Sequence, residues 1–288
     1  GPDEGWIAGM NGTVLHTTDG GASWSEPGNV PTTAWLECVF FTDQMRGWIC
    51  GQDGTILATV DGGMNWTLQA TPVNTDLLSI FFIDNQHGWA IGSGTKVLAT
   101  SNGGLSWYTI AEITNNVYLD IFFTDAMNGW ISGKYGVILA TYNGGTTWKP
   151  QFTGTTSDLG SIVFTTLTDG WVAGGNGLIL HTTDSGNKWE AVSSGTNLHL
   201  ESITFADEVN GWIAGENGTI LSTGYLISKN KEQVQDDKTF VQAFPNPFNT
   251  ETTIVYHLER DDWAGIRLFD LTGQVVMNEM PTWKTHTI

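Results

Sequence analysis

One dipeptide paces this chain. A Gly precedes a Trp at Trp6, Trp48, Trp89, Trp130, Trp171 and Trp212, at intervals of 42 and then four times 41 residues. A second Trp follows 18 residues behind the first in five of the six copies, at Trp24, Trp66, Trp107, Trp148 and Trp189. A unit of this size cannot bury its apolar face alone and must stack on its neighbours. Within the unit the apolar pattern has period two. Ile80, Ile121, Ile162 and Ile203 stand two residues before Phe82, Phe123, Phe164 and Phe205, which marks a first strand with one buried face. "GWIAG" and "GTILAT" supply a second and a third, rich in β-branched residues. A fourth begins at the second Trp, as in "WTLQA". No segment carries a helical apolar stripe longer than a turn or two, so helical solenoids of similar period are disfavoured. The expected fold is all-β: over residues 1–223, a β-propeller of six to seven four-stranded blades with incomplete terminal blades. The first unit lacks an opening strand, and the sixth reads "GTILSTGYLIS" where a turn is due, with "YLIS" as a weak fourth strand.

Composition narrows the partners. The 288 residues include 36 Gly and 14 Trp and carry a formal charge of −19. Such a chain repels phosphate backbones and anionic lipid surfaces, so neither nucleic acid nor a membrane surface is expected as a partner. No apolar run reaches the roughly 18 residues of a membrane helix, so membrane insertion is not expected either. The chain starts at Gly1-Pro2 rather than Met, as an expression scar, a fragment or a mature form does. Two cysteines are too few for a disulfide framework. Cys38 and Cys50 fall on the first two strands of one hairpin, where they either bridge or remain two small buried thiols. There is no Cys/His cluster, phosphate loop or nucleophile elbow, and "GGNG" leads from strand to strand. No cofactor, metal or catalytic residue is therefore assigned.

The turn between the third and fourth strands is written "TTDGGASW", "TVDGGMNW", "TSNGGLSW", "TYNGGTTW" and "TTDSGNKW". Its Asp or Asn, at Asp19, Asp61, Asn102, Asn143 and Asp184, can accept backbone N–H bonds inside the turn. Gly permits positive φ there, and Trp24, Trp66, Trp107, Trp148 and Trp189 anchor the hairpin. Asn accepts the same bonds but is no general base, so the repeated position reads as structural. The pattern Ser/Thr-x-Asp-x-Gly-x-x-Trp resembles the Asp-box, or bacterial neuraminidase repeat. The whole unit, "FxDxxxGWIxGxxGxILxTxDGGxxW", is similar to the family of photosystem II assembly and stability factors over about residues 1–223. That resemblance implies a propeller without catalytic activity. A photosystem role would call for a basic patch, whereas residues 1–223 hold Arg46 and four lysines against 21 acids. Relatives outside photosynthesis fit that balance better. Sialidases share the Asp-box but clamp their substrate with three arginines, which one Arg cannot do. Xyloglucanase-like propellers, which use paired acids, stand as the enzymatic alternative, and an assembly factor for a membrane complex as a third reading.

Residues 224–243 read as a polar linker. Beyond it, 244–288 contain "TTIVYHL", which alternates as a strand, and "IRLFD-LTG-QVV", which reads as a hairpin with Gly273 in the turn. Pro245-Asn246-Pro247-Phe248 fixes a turn ahead of them. These positions resemble the C-terminal sorting domain of bacterial type IX secretion cargo, a partial β-sandwich here. The resemblance implies the type IX machinery as a partner and a secreted or cell-surface location outside a Gram-negative outer membrane.

Strand order locates a ligand. Up-and-down strands put the one–two and three–four turns at one end, and the two–three and four–one connections at the other. The first end is uniform, with Asp43, Asp84, Asp125 and Asp207 beside the Asp-boxes. The second end varies: Trp35, Asp76, Val117, Asp158 and His199 precede the first strands, and the two–three loops include Lys134-Tyr135. Variable loops on a rigid scaffold are where binding resides. The candidate rim is Trp35, Asp76, Lys134, Tyr135, Asp158 and His199, its aromatics stacking on a protein segment or a glycan. Asp76 and Asp158 lie two blades apart, too far for a pair of carboxyls that hydrolysis needs within about 5–10 Å.

Overall fold

The computed structural model describes residues 3–222 and four further strands, Phe240–Phe244, Thr253–His257, Ile266–Phe269 and Val275–Glu279. The chain forms two compact units, Gly1–Ile227 and Ser228–Ile288. The first is a β-propeller built from the six sequence repeats. Among the described residues four repeats make complete blades, fewer than the six to seven expected. The first repeat contributes β1 (Gly5–Ala8) and β2 (Val14–Thr17), with a short bridge from His16 to Ser25. The second is a full antiparallel blade of β3 (Leu36–Phe41), β4 (Gly47–Gly51), β5 (Ile56–Thr59) and β6 (Thr67–Gln69). The third and fourth share one six-stranded sheet of β7 (Leu77–Phe82), β8 (Gly88–Thr100), β9 (Tyr108–Phe123), β10 (Gly129–Gly133), β11 (Ile138–Thr141) and β12 (Lys149–Gln151). The fifth holds β13 (Leu159–Phe164), β14 (Gly170–Gly174), β15 (Leu178–Thr182) and β16 (Glu190–Ser193). The sixth ends after β17 (Leu200–Phe205), β18 (Gly211–Gly215) and β19 (Thr219–Ser222). Among the described residues the terminal repeats thus give two and three strands, and the sixth carries no Asp-box. "YLIS" lies outside the described residues.

The merged sheet has a local cause. Five repeats turn from their second to their third strand through a short 3-10 turn, such as Gln52–Gly54 or Lys134–Gly136. Its last residue is a glycine at positive φ, Gly54 at 73° and Gly136 at 72°. The third repeat has Thr95 at that position, where a Cβ disfavours the left-handed backbone. There β8 runs straight through and pairs with a lengthened β9, Ser93 opposite Val117 and Lys96 opposite Glu112.

The core is divided into slices, one between each pair of consecutive repeats. Each slice is centred on the repeated Trp. Trp48, Trp89 and Trp130 stack on Phe82, Phe123 and Phe164 of the next blade, with centroids 3.6, 3.7 and 3.6 Å apart. The far side of each Phe meets its own blade's Asp-box Trp edge-on, at 5.8, 6.0 and 6.0 Å for Trp107, Trp148 and Trp189. The preceding Gly clears the Phe ring: a Cβ on Gly88 or Gly170 would stand 2.5 Å from it. The indole N–H then reaches the next blade's Asp-box turn, donating to the carbonyls of Gly103, Gly144 and Ser185 at 3.0, 3.1 and 3.2 Å. The Asp-box Trp is tied backward in two blades, where Trp107 and Trp189 Nε1 donate to Gln69 and Gln151 Oε1. For Trp66 the corresponding position is Gly28, and the buried Trp66 N–H has no partner. Trp212, with no following Asp-box turn, is 47 % exposed, whereas Trp130 is 0 %.

In the second unit Phe240–Phe244 (β20) pairs antiparallel with Thr253–His257 (β21), and Ile266–Phe269 (β22) with Val275–Glu279 (β23). The strand β20 begins inside the stretch read as a linker. Pro245, Asn246, Pro247 and Phe248 lie outside the described residues.

The Trp relay predicts unequal costs for equal truncations. Trp130→Ala should destabilise by about 3–5 kcal/mol, as expected for a fully buried aromatic. Trp212→Ala should cost less than about 1 kcal/mol. Urea midpoints at unchanged slope measure both.

Candidate functional site

The two ends of the propeller are built differently. At the Asp-box end, turns one–two and three–four of each blade are bonded by backbone: Gly62 N–H donates to Met45 O, Gly103 to Gln86, Gly144 to Met127 and Ser185 to Thr168. Inside each Asp-box, the Oδ1 of Asp19, Asp61, Asn102, Asn143 or Asp184 accepts the backbone N–H four residues on, at 2.8–3.0 Å. It also accepts the hydroxyl of the Thr two residues before, at 2.7–3.0 Å. Asp and Asn make the same bonds. Ser23 and Thr17 hold the Asp19 carboxyl down to about 2, and the Asp61 and Asp184 carboxyls are lowered likewise by the bonds they accept. Asp43 and Asp207 cap their turns through two backbone N–H groups each and are lowered for that reason.

At the opposite end the rim residues divide into supports and presented groups. Asp76 Oδ1 accepts the N–H of Asp53 on the preceding blade at 3.1 Å. Asp158 Oδ1 accepts the N–H of Tyr135 on its preceding blade at 3.0 Å. Both receiving loops are left-handed there, with φ 57° at Asp53 and 61° at Tyr135. The two carboxylates are thus clamps across a blade boundary. The His199 N–H bonds Glu216 of its own blade, and its ring lies 3.6 Å from Glu201. The Lys134 carbonyl accepts from Asn116.

Tyr135 is the outlier. At the same repeat position stand Asn11, Asp53, Asn176 and Asn217, all with positive φ. These are residue types that tolerate the left-handed region, and a bulky aromatic is not. Its ring is 72 % exposed, and Trp35, on the second repeat, is 51 % exposed. The two aromatics share an end of the fold but stand two blades apart.

The inner edge holds a feature the sequence reading did not single out. First strands of adjacent blades stand beside one another: β3 by β7, β7 by β9, β9 by β13 and β13 by β17. In phase along them come Cys38, Ser79, Asp120, Ser161 and Ser202. Asp120 joins three blades. Its Oδ1 accepts Ser79 Oγ and Ile121 N–H, both at 2.9 Å. Its Oδ2 accepts Ser161 Oγ at 3.0 Å and Ile162 N–H at 2.9 Å. The residue is only half-buried, yet its carboxyl is enclosed, and burial pushes its pKa up against those four bonds. Directly opposite it on β10, the Ser132 hydroxyl is buried and unpartnered. Farther along the same strands Phe40, Phe81 and Phe122 form a tilted ladder with centroids 5.0 Å apart. Among the described residues no three His, Cys, Asp or Glu side chains are grouped to hold a metal ion.

The family model described as photosynthesis system II assembly factor YCF48 matches residues 26–111, 106–201 and 159–223. The chain belongs to that family. Among solved structures it is similar to YCF48 from Cyanidioschyzon merolae, at 21% identity and TM-score 0.63, covering 76% of this chain and 79% of that one. It is also similar to the GH74 xyloglucanase from Xanthomonas campestris, at 11% identity and TM-score 0.62, covering 88% of this chain and 49% of that one. The GH74 enzyme from Niastella koreensis aligns at 13% identity and TM-score 0.58, covering 94% and 50%. At these identities the likeness is one of fold, and this chain spans about half of each GH74 enzyme. No curated protein matches.

The two kinds of carboxylate predict opposite pH behaviour. The lowered Asp-box and turn carboxylates stabilise the fold above their unfolded value of about 4, and that contribution is lost as pH falls through their native values. The raised Asp120 stabilises relatively below about 4, and that contribution is lost as pH rises through its native value. Urea midpoints across a pH series should therefore show Asp120→Asn removing the loss on the rising side and leaving the acid limb in place. An unchanged profile would contradict the assignment.

Proposed function

We propose that this chain is a non-catalytic binding module that holds an extended segment of a partner protein at the propeller end carrying Trp35 and Tyr135. The observation that carries the reading is Tyr135: a largely exposed aromatic on a left-handed backbone, clamped from the next blade by Asp158. Strain of this kind costs about 1–3 kcal/mol and persists where a site uses it. Exposed Tyr and Trp are the side chains that anchor protein interfaces. Membership of a family described as an assembly factor supports a protein as the partner rather than a glycan. The roles of Asp76 and Asp158 as loop clamps weigh against the glycoside hydrolase alternative, since neither carboxylate is positioned as one of an acid–base pair. The proposal includes export to the cell surface or medium by a type IX-like route. That part rests on the resemblance of residues 244–288 alone, and protease shaving of intact cells tests it.

Tyr135→Asn separates site from scaffold, because it installs the residue found at three of the matching positions. The variant should gain about 1 kcal/mol of stability from relief of strain. Linear peptides selected by phage display on the full chain should bind it at least about tenfold more weakly. Peptide binding unchanged in Tyr135→Asn and in Trp35→Ala would overturn the reading. So would release of reducing sugar from xyloglucan by the wild-type chain.

A further inference from the structure

The only two cysteines of the chain face each other. Cys38 on β3 is the register partner of Cys50 on β4, so both side chains leave the same face of the hairpin. Directly opposed residues in an antiparallel pair hold their Cβ atoms about 4.5–5.5 Å apart. A disulfide needs about 3.5–4.5 Å. The register slips between Leu36 and Cys38, and a bulge of that kind bends the strand and re-aims its side chains. Both cysteines are free thiols.

We propose that Cys38 and Cys50 are a reversible dithiol–disulfide pair, a modification site at which a small peroxide cross-links the first two strands of one blade. The accessibilities differ in the sense this needs. Cys50 is 0 % exposed, and Cys38 is half-buried at the inner edge. The Cys50 thiol hydrogen-bonds Cys38 and pulls its pKa down, while burial pushes the Cys50 thiol up. A more acidic, accessible thiol beside a resolving partner is the arrangement of a peroxide-sensitive cysteine.

The chemistry closes with hydrogen peroxide as oxidant. The Cys38 thiolate attacks one peroxide oxygen, the O–O bond breaks, and the departing hydroxide takes a proton to become water. Cys38 is left as a sulfenic acid. Cys50 gives up its proton and attacks the Cys38 sulfur. The S–S bond forms, the S–O bond breaks, and a second water leaves. Two electrons pass from the sulfurs to the peroxide, and an external thiol reverses the cross-link by exchange. Oxidation also has a consequence between blades. Cys38 Sγ donates to the Ile80 carbonyl of the next blade at 3.9 Å, and the disulfide removes that donor.

The test uses the folded full chain and hydrogen peroxide. Alkylatable thiols should fall from two to none. Arg46 lies between the cysteines, so a tryptic digest should contain two peptides joined within one molecule, and dithiothreitol should separate them. Cys38→Ser and Cys50→Ala copy residues of other blades at the same repeat positions, Ser79 and Ala173, and should fold. In Cys50→Ala, Cys38 should stop at the sulfenic acid and be trapped by dimedone. The proposal is overturned if both wild-type thiols stay alkylatable until denaturant is added. It is equally overturned if the cross-link joins only separate chains, or if Cys38 is trapped as sulfenic acid equally with and without Cys50.

Discussion

The propeller depends on one contact made over and over: an indole that leaves one blade, lies flat on a phenylalanine of the next, and donates its N–H to that blade's Asp-box turn. Apolar burial alone is non-directional and would let two sheets slide. The hydrogen bond removes that freedom for Trp48, Trp89 and Trp130, whose accepting carbonyls are each 55 residues ahead; Trp171 donates instead to Asp169 of its own blade. The Asp-box is the other half of the device. Its carboxylate or amide oxygen holds the turn in the shape that offers the carbonyl to the incoming indole. Period, turn and Trp are therefore one mechanism, and the spacing of the sequence repeat is the spacing at which it closes.

That much was legible in the chain because every element of it is local or in phase. The Gly-Trp dipeptide, the Ile-x-Phe strand and the Asp-box each occupy a few adjacent residues. The number of complete blades was less legible. A repeat signal is present at Trp6 and Trp212, where the described residues give two and three strands, so counting tryptophans overcounts the complete sheets among the described residues. The third repeat also departs from the pattern through a single residue, Thr95, whose Cβ converts a turn into continuous strand.

The site was readable in part. Exposure of Trp35 and Tyr135 followed from strand order alone. The roles of Asp76 and Asp158 did not, because their partners are backbone N–H groups 23 residues earlier, on the preceding blade. Sequence spacing carries no sign of a bond to a main-chain group. The Asp120 cluster was missed for a related reason: Ser79, Asp120 and Ser161 are 41 residues apart and meet only at the inner edge. Aligning the repeats at the second residue before Phe40, Phe81 and Phe122 would have exposed one acid among small polar residues. What makes the position unusual, burial of its carboxyl between three blades, needed the fold.

The proposed binding end is the one where the repeat is broken rather than where it is kept. The Asp-box end repeats the same bonds blade after blade. The far end substitutes an aromatic where the backbone favours Asn, and supports it from a neighbouring strand. That contrast has force only if the blades are held rigidly by the indole relay. The most direct measurement of the relay is a double-mutant cycle of Trp130→Leu with Phe164→Leu, read by urea unfolding. A coupling energy of about 0.5–1.5 kcal/mol is predicted for the stacked pair. Strict additivity of the two substitutions would contradict the account.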